Sequence, residues 1–179
     1  EDVFRVKLAC YTGTRTPWYI GLGNLLVRLR LRSPISHCEL VFEPGDDVRD
    51  LMPDKSTDPA KTGALWCASS GATDPIPAWS KRRAGKAGGV RMKRINLAAD
   101  KWELIDLPWA DARAAAQWFR EREGALYDGQ GIFGFIAWPI PNKTGRWACH
   151  AACAAALGLP EPNRFDPASL AAAARWRLT

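Results

Sequence analysis

Cys149 and His37 have the side chains that thiol chemistry requires. A thiol nucleophile needs an accessible sulfur, a local field that favours the thiolate and a base within hydrogen-bond reach. Cys149 follows the polar segment 142–146 and opens the small apolar run 151–157, which places it in the first turn of a predicted helix. The unsatisfied N–H groups and the dipole of such a turn stabilise a thiolate. The backbone N–H of Cys149 is also placed to hold an oxyanion.

The remaining cysteines are predicted to be buried as small apolar residues. Three of them fall within predicted strands, and the fourth lies one helical turn after Cys149: Cys10, Cys38, Cys67 and Cys153. An odd number of cysteines in a chain of this length disfavours a disulfide framework. The sequence has no C-x-x-C pair and no spaced His/Cys chelate. We therefore expect no metal and no cofactor.

Two histidines are available as a base for this thiol. His150 directly follows Cys149, and neighbours in a helix project about 100° apart, which disfavours it. His37 remains, in a predicted strand, and its usual pKa of about 6.5 suits thiol chemistry near neutrality. A third polar group usually orients such a base. Glu39, on the same strand face, and Ser69, at the end of the next strand, are equal candidates, although both residues also have ordinary structural explanations.

The hydropathy pattern predicts an α+β chain in which a group of strands is followed by helices. The predicted strands cover residues 3–11, 35–42, 64–68, 89–97 and 102–107, and the last two are expected to form an antiparallel pair around 98–101. The predicted helices cover residues 17–31, 110–122, 147–157 and 167–175, with Asp166 as an N-cap. The length and a hydrophobic content of 47% predict one domain, residues 1–179.

Charge and composition indicate which classes of partner to expect. The formal charge of +6 favours anionic surfaces, but the basic clusters 28–32 and 81–86 are short and lack interleaved aromatics, so no nucleic-acid partner is expected. No apolar run approaches about 20 residues and no signal-peptide pattern opens the chain, so no transmembrane segment is expected. Most of the nine tryptophans lie in apolar periodic segments, which is typical of core residues.

The order of the short motifs resembles a known superfamily. Ser36-His37-x-Glu39-Leu40 lies in a strand, and Cys149 opens a helix far downstream. This arrangement resembles the circularly permuted branch of the papain-like NlpC/P60 superfamily, which includes YiiX-like and lecithin:retinol acyltransferase-like proteins. The matching segments also include 67–70, 88–91 and 127–128, so that the similarity extends from residue 6 to residue 159. One departure is Cys149-His150-Ala151, where relatives commonly have Cys-Ser-Glu.

The resemblance implies a papain-like fold in which an antiparallel sheet packs against a cysteine-bearing helix. It implies a cysteine hydrolase, with Cys149 as nucleophile, His37 as base and Tyr127 lining the substrate cleft, that cleaves amide or ester bonds through an acyl-enzyme. Peptidoglycan peptides are the first expected substrate, because the cell wall is polyanionic. The alternatives are a non-catalytic module associated with phage virion or tail proteins, and a lipid acyltransferase. The expected location of the protein is a virion or the bacterial periplasm.

Overall fold

A five-stranded antiparallel sheet is the centre of this α+β fold. The structure is a computed structural model that describes residues 6–14, 18–55, 57, 63–129 and 145–177, with the backbone alone for residues 18–20. The strands are β1 (Lys7–Tyr11), β2 (His37–Phe42), β3 (Leu65–Pro75), β4 (Ala87–Ile95) and β5 (Trp102–Asp106). The α-helices in the described part are α1 (Trp18–Leu31), α2 (Ala112–Arg122), α3 (Cys149–Ala156) and α4 (Pro167–Trp176).

The strand order β4-β3-β2-β1-β5 places β2 in the middle of the sheet. Every residue of β2 is buried: β1 pairs with residues 37–41 on one edge, and β3 pairs with residues 40–42 on the other. Tyr11 pairs with His37 on one side and with Trp102 on the other, so these three side chains lie in one row. His37 is therefore held at the first position of the central strand.

The predicted pairing of the last two strands is wrong. β4 pairs with β3 and β5 pairs with β1, so β4 and β5 form opposite edges of the sheet. Sequential apolar runs often form hairpins, but here β5 gains more by aligning Trp102 and Ile105 with Tyr11 and Leu8 of β1. Residues 96–101 cross between the two edges. In addition, β3 extends to Pro75, well beyond the predicted end at residue 68.

Helices α2, α3 and α4 cover one face of the sheet. The core beneath them includes Leu8, Leu40 and Phe42 from the strands, Phe119 from α2 and Leu170 from α4, all fully buried. The predicted N-cap of α4 is confirmed. The Asp166 carboxylate accepts hydrogen bonds from the backbone N–H groups of Ala168 and Ser169, and the Ser169 hydroxyl completes a capping box.

The tryptophans that were predicted to fill the core do so in part. Trp66 and Trp102 are buried, and Trp118 packs edge-on against Trp147 with ring centroids 4.8 Å apart. The side chain of Trp18 lies outside the described residues. Among the described residues, none of the helices has both the length and the apolar character needed to cross a bilayer.

Candidate active site

Cys149 is the first residue of α3, as the sequence predicts. Its N-cap, Ala148, has no side chain to cap the helix, so the first-turn N–H groups face the thiol region without a competing side-chain acceptor. The Cys38 thiol and the His37 ring lower the pKa of Cys149 well below its usual range, although burial opposes them. The geometry thus favours a thiolate at this position.

The sequence interpretation missed the contact between Cys38 and Cys149. The burial of Cys38 was predicted and is confirmed, and its side chain does belong to the helix-covered core. However, it lies in hydrogen-bond contact with both Cys149 and Cys153, and these contacts, together with burial, raise its pKa well above the usual value. Cys38 therefore remains a thiol, and its S–H group can donate to the Cys149 sulfur. Cys153 is fully buried and its Sγ lies 3.8 Å from the Cys38 carbonyl oxygen.

The His37 ring joins Cys149 to Glu39. Its Nε2 lies 2.8 Å from Oε1 of Glu39, which leaves Nδ1 as the nitrogen for the Cys149 contact. Burial alone would lower the pKa of His37, but the charge and hydrogen bond of Cys149, followed by those of Glu39, raise it. A raised histidine pKa beside a lowered cysteine pKa favours a thiolate–imidazolium pair.

Glu39 is held in turn by Arg91, which the sequence interpretation did not single out as a site residue. The Arg91 guanidinium donates to both carboxylate oxygens of Glu39, at 2.6 and 2.5 Å. The same guanidinium donates to Asp74 at 2.6 Å, and Lys93 donates to Asp74 at 2.9 Å. The side chains of Glu39 and Arg91 are both fully buried. Negative and positive groups therefore alternate from the Cys149 thiolate to Lys93, which is one-third exposed. The groups between them are His37, Glu39, Arg91 and Asp74.

Two local features of β3 and β4 bring Arg91 into this position. Gly88 and Gly89 have positive φ values of 74° and 143°, and a Cβ at Gly89 would lie 2.3 Å from the Ala125 carbonyl oxygen. These residues thus need to be glycine. Opposite them, the β3–β4 register shifts between Gly71 and Pro75. The irregular segment includes Asp74, whose carboxylate reaches Arg91.

The Ser69 hydroxyl bonds to the backbone of β2. This hydroxyl donates to the Cys38 carbonyl oxygen at 2.7 Å, just beyond the last paired residues of β2 and β3, Leu40 and Ala68. The geometry therefore favours Glu39 over Ser69 as the group that orients the His37 ring. Ser69 instead holds the β2 backbone at Cys38. The remaining candidate, Tyr127, is half-buried and forms a backbone bridge with Trp147, two residues before Cys149.

His150 lies closer to the thiol than the helical projection suggested. A hydrogen bond to His150 also lowers the pKa of Cys149, after the Cys38 contact and the charge of His37 and before the hydrogen bond to His37. His150→Ala therefore serves as a comparison for His37→Ala, because it removes one hydrogen bond to Cys149 and leaves the charge of His37 in place.

The thiol is less accessible than a nucleophile was expected to be. Cys149 is 3% exposed and His37 is 7% exposed. A shallow pocket of about 290 Å³ lies elsewhere, and its lining residues are Lys81, Arg82, Arg120, Glu121 and Glu123. In this structure the thiol is therefore covered and not open to solvent.

Acid is expected to destabilise the fold between about pH 4.5 and pH 2. Burial would raise the pKa of Glu39, but Arg91 and His37 overcome it and lower the pKa from 4.5 to about 2. Between these values the unfolded chain binds a proton that the folded chain does not. The stabilisation, about 3 kcal/mol, is therefore present above pH 4.5 and lost as the pH falls.

Urea unfolding at a series of pH values measures this loss. Glu39→Gln is expected to reduce the slope, whereas Asp50→Asn, at an exposed ion pair with Arg113, is expected to retain it. An unchanged slope in Glu39→Gln would show that Glu39 does not titrate with folding.

Comparisons of this chain with models of protein families, with curated proteins and with solved structures found no match. The geometry of the Cys149 group is accordingly the basis for a functional interpretation.

Proposed function

We propose that this chain is a cysteine hydrolase with a papain-like fold of the circularly permuted NlpC/P60 type. The observation that carries the proposal is the continuous chain of contacts from Cys149 through His37 to Glu39. A nucleophile, a base and a group that orients the base are the three parts of a catalytic triad. Their location at a helix start and a central strand is the arrangement that the resemblance implies.

Acylation begins with the Cys149 thiolate. Its sulfur attacks the carbonyl carbon of an amide, and the carbonyl oxygen becomes an oxyanion that the backbone N–H of Cys149 is positioned to receive. The His37 imidazolium then donates its Nδ1 proton to the leaving nitrogen as the carbon–nitrogen bond breaks. An amine leaves and a thioester remains on Cys149. Glu39 keeps the ring oriented through Nε2 during both proton transfers.

Deacylation uses the same residues, with His37 now acting as a base. Neutral His37 accepts a proton from water, and the resulting hydroxide oxygen attacks the thioester carbonyl carbon. Breakage of the carbon–sulfur bond releases a carboxylic acid and regenerates the thiolate–imidazolium pair. An ester substrate would follow the same route with an alcohol as the leaving group.

Peptidoglycan peptides are the proposed substrate class. The chain carries a formal charge of +6, which favours association with a polyanionic cell wall. The wall also supplies amide bonds as short peptides, which an opened site could admit. A virion-associated enzyme, or one that acts in the bacterial periplasm, would meet this substrate.

The pH dependence of Cys149 alkylation by iodoacetamide tests the proposal. In the parent protein, Cys149 is expected to react selectively at a pH well below about 8.5, the usual value of a cysteine. His37→Ala removes the imidazolium and is expected to shift the profile to higher pH. His150→Ala removes one hydrogen bond only, and it is expected to shift the profile less than His37→Ala, which removes a charge as well. Mass spectrometry identifies which of the five cysteines is modified.

Two outcomes would contradict the enzyme. One is that Cys149 reacts no faster than Cys67, which is buried in the opposite face of the sheet. The other is that His37→Ala gives the same profile as the parent protein, since the thiolate would then not depend on His37.

A second candidate function is a non-catalytic structural module, such as a component associated with a phage virion or tail. The 3% exposure of Cys149 favours it, because a structural protein does not need an open thiol. Under this alternative the charged residues beneath His37 would specify the fold rather than a reaction. An unreactive Cys149 in the alkylation experiment would support it.

A further inference from the structure

Helix α1 displays its leucines to solvent. Leu22, Leu25, Leu26 and Leu29 follow the spacing of a single helix face, and they are 46%, 45%, 44% and 64% exposed. A helix that packs on a core shows the opposite arrangement, with its apolar face buried. The sequence periodicity is correct, but this leucine stripe points away from the molecule.

The other side of α1 makes the contacts that hold the helix. Val27 and Leu31 are half-buried on that side. Arg28 anchors the helix to the β1 end, because its Nη1 donates to the Thr12 carbonyl oxygen at 2.8 Å. No described helix or strand packs extensively against α1. The leucine stripe is therefore left without a partner in the described part of the chain.

The charged residues in the segment that carries the leucine stripe have one sign. At 100° per residue, Arg28 and Arg30 project on opposite flanks of the stripe, and Arg32 follows directly after the helix. Between Tyr11 and His37 the sequence contains four arginines and neither aspartate nor glutamate. An exposed apolar stripe with positive charge beside it suits the interface of an anionic bilayer, where the acyl chains receive the leucines and the anionic headgroups attract the arginines.

We propose that α1 docks this protein on the surface of an anionic lipid bilayer. The leucine stripe enters the boundary between headgroups and acyl chains, and the positive charges of Arg30 and Arg32 attract the anionic headgroups. A second copy of the chain fits the stripe less well, because each copy would bring the same cationic segment to the contact. A nucleic acid would satisfy the arginines but would leave the leucines exposed to water.

The location of α1 relates this surface to the candidate site. The segment leaves the sheet after Tyr11 and returns at His37, and these two residues pair with each other. A docked α1 would therefore keep the His37 end of the sheet near the bilayer. The docking itself does not require Cys149 to be a nucleophile, so the docking proposal and the hydrolase proposal can be tested independently.

Co-sedimentation with lipid vesicles tests the proposal. Vesicles that contain phosphatidylglycerol in phosphatidylcholine are expected to bind the protein, and pure phosphatidylcholine vesicles are expected to bind it weakly. Leu25→Ser/Leu29→Ser is expected to lower the vesicle-bound fraction at least roughly tenfold, and Arg30→Gln/Arg32→Gln is expected to remove the preference for the anionic lipid. Added salt should weaken binding of the parent protein.

The matched control is Leu104→Ser/Leu126→Ser, which removes two leucines that are 43% and 41% exposed outside α1. It is expected to bind vesicles like the parent. Circular dichroism checks that every variant is folded. Cys149→Ser should also bind like the parent, whatever its activity.

Three results would overturn the proposal. The parent protein does not bind anionic vesicles, or it binds them equally well after the leucines of α1 are replaced. The third result is a dimer in solution that dissociates in Leu25→Ser/Leu29→Ser without any vesicle binding by the parent, which would assign the stripe to a second copy.

Discussion

Cys149→Ala is expected to lower turnover of a peptidoglycan-derived peptide by on the order of 10⁴, because no other group in the site can form the acyl intermediate. Cys38 is the nearest other thiol, and its pKa is raised well above the usual value by its contacts with Cys149 and Cys153 and by burial. Cys38 therefore cannot substitute as a thiolate near neutral pH. His37→Ala is expected to cause a loss of similar size, since the residues of a triad act as a unit.

The measurement is release of a new amine from the peptide by purified protein. Cys67→Ala is the matched control, because Cys67 is also fully buried but belongs to the apolar cluster on the opposite face of the sheet. This control is expected to retain most of the turnover. Equal turnover by the parent and by Cys149→Ala, with the parent active, would exclude Cys149 as the nucleophile.

The features of the fold that the sequence could predict are local. Asp166 before Pro167 is an N-cap signal, and the structure has the helix and its cap where the signal places them. The start of α3 at Cys149 follows similarly from the change between a polar segment and a small apolar run. The alternation of β2 put His37 and Glu39 on one face, and their 2.8 Å contact confirms this.

The contacts that depend on long-range pairing were harder to predict. The position of β5 is decided by its pairing with β1, whereas the sequence rule favours a hairpin with its neighbour β4. Arg91 illustrates the same difficulty within the site. A strand arginine between apolar residues usually faces solvent, and no signal in one sequence tells that Glu39 and Asp74 lie around it.

At α1, the spacing of the apolar residues predicts the helix but not what its apolar face contacts. The spacing of Leu22, Leu25, Leu26 and Leu29 predicts a helix with an apolar face, and the helix is present. The same spacing serves a helix that packs on a core and a helix that binds a surface. The difference lies in what surrounds the helix in three dimensions, so that exposure in the structure was needed to distinguish them.

Arg91→Met is expected to destabilise the fold by about 3–5 kcal/mol, because it leaves the buried Glu39 carboxylate without its cation. It is also expected to raise the pKa of Glu39, since Arg91 is the largest influence that lowers it. A carboxylate that takes up a proton orients the His37 ring less well. Alkylation of Cys149 should therefore shift to higher pH in this variant.

Urea unfolding and the alkylation profile measure these two effects on the same protein. Arg94→Met is the matched control, because Arg94 also lies in β4 and bonds an aspartate, Asp54, at 2.8 Å, yet its side chain and that of its partner are partly exposed. Arg94 also donates to the Ala64 carbonyl oxygen and lies over the Trp66 ring, so its removal has a cost of its own. This cost is expected to be smaller than that of Arg91→Met, and the alkylation profile is expected to stay unchanged.

Arg91→Lys separates the charge of Arg91 from its geometry. A lysine keeps the positive charge but cannot donate to both oxygens of Glu39 and to Asp74 in one plane, so intermediate stability and a smaller alkylation shift are expected. This variant also decides the matter if Arg91→Met fails to fold. If Arg91→Lys is as stable as the parent and the Cys149 profile is unchanged, charge alone supports Glu39. If its stability is retained while the profile shifts, the planar guanidinium acts by positioning Glu39 beneath His37.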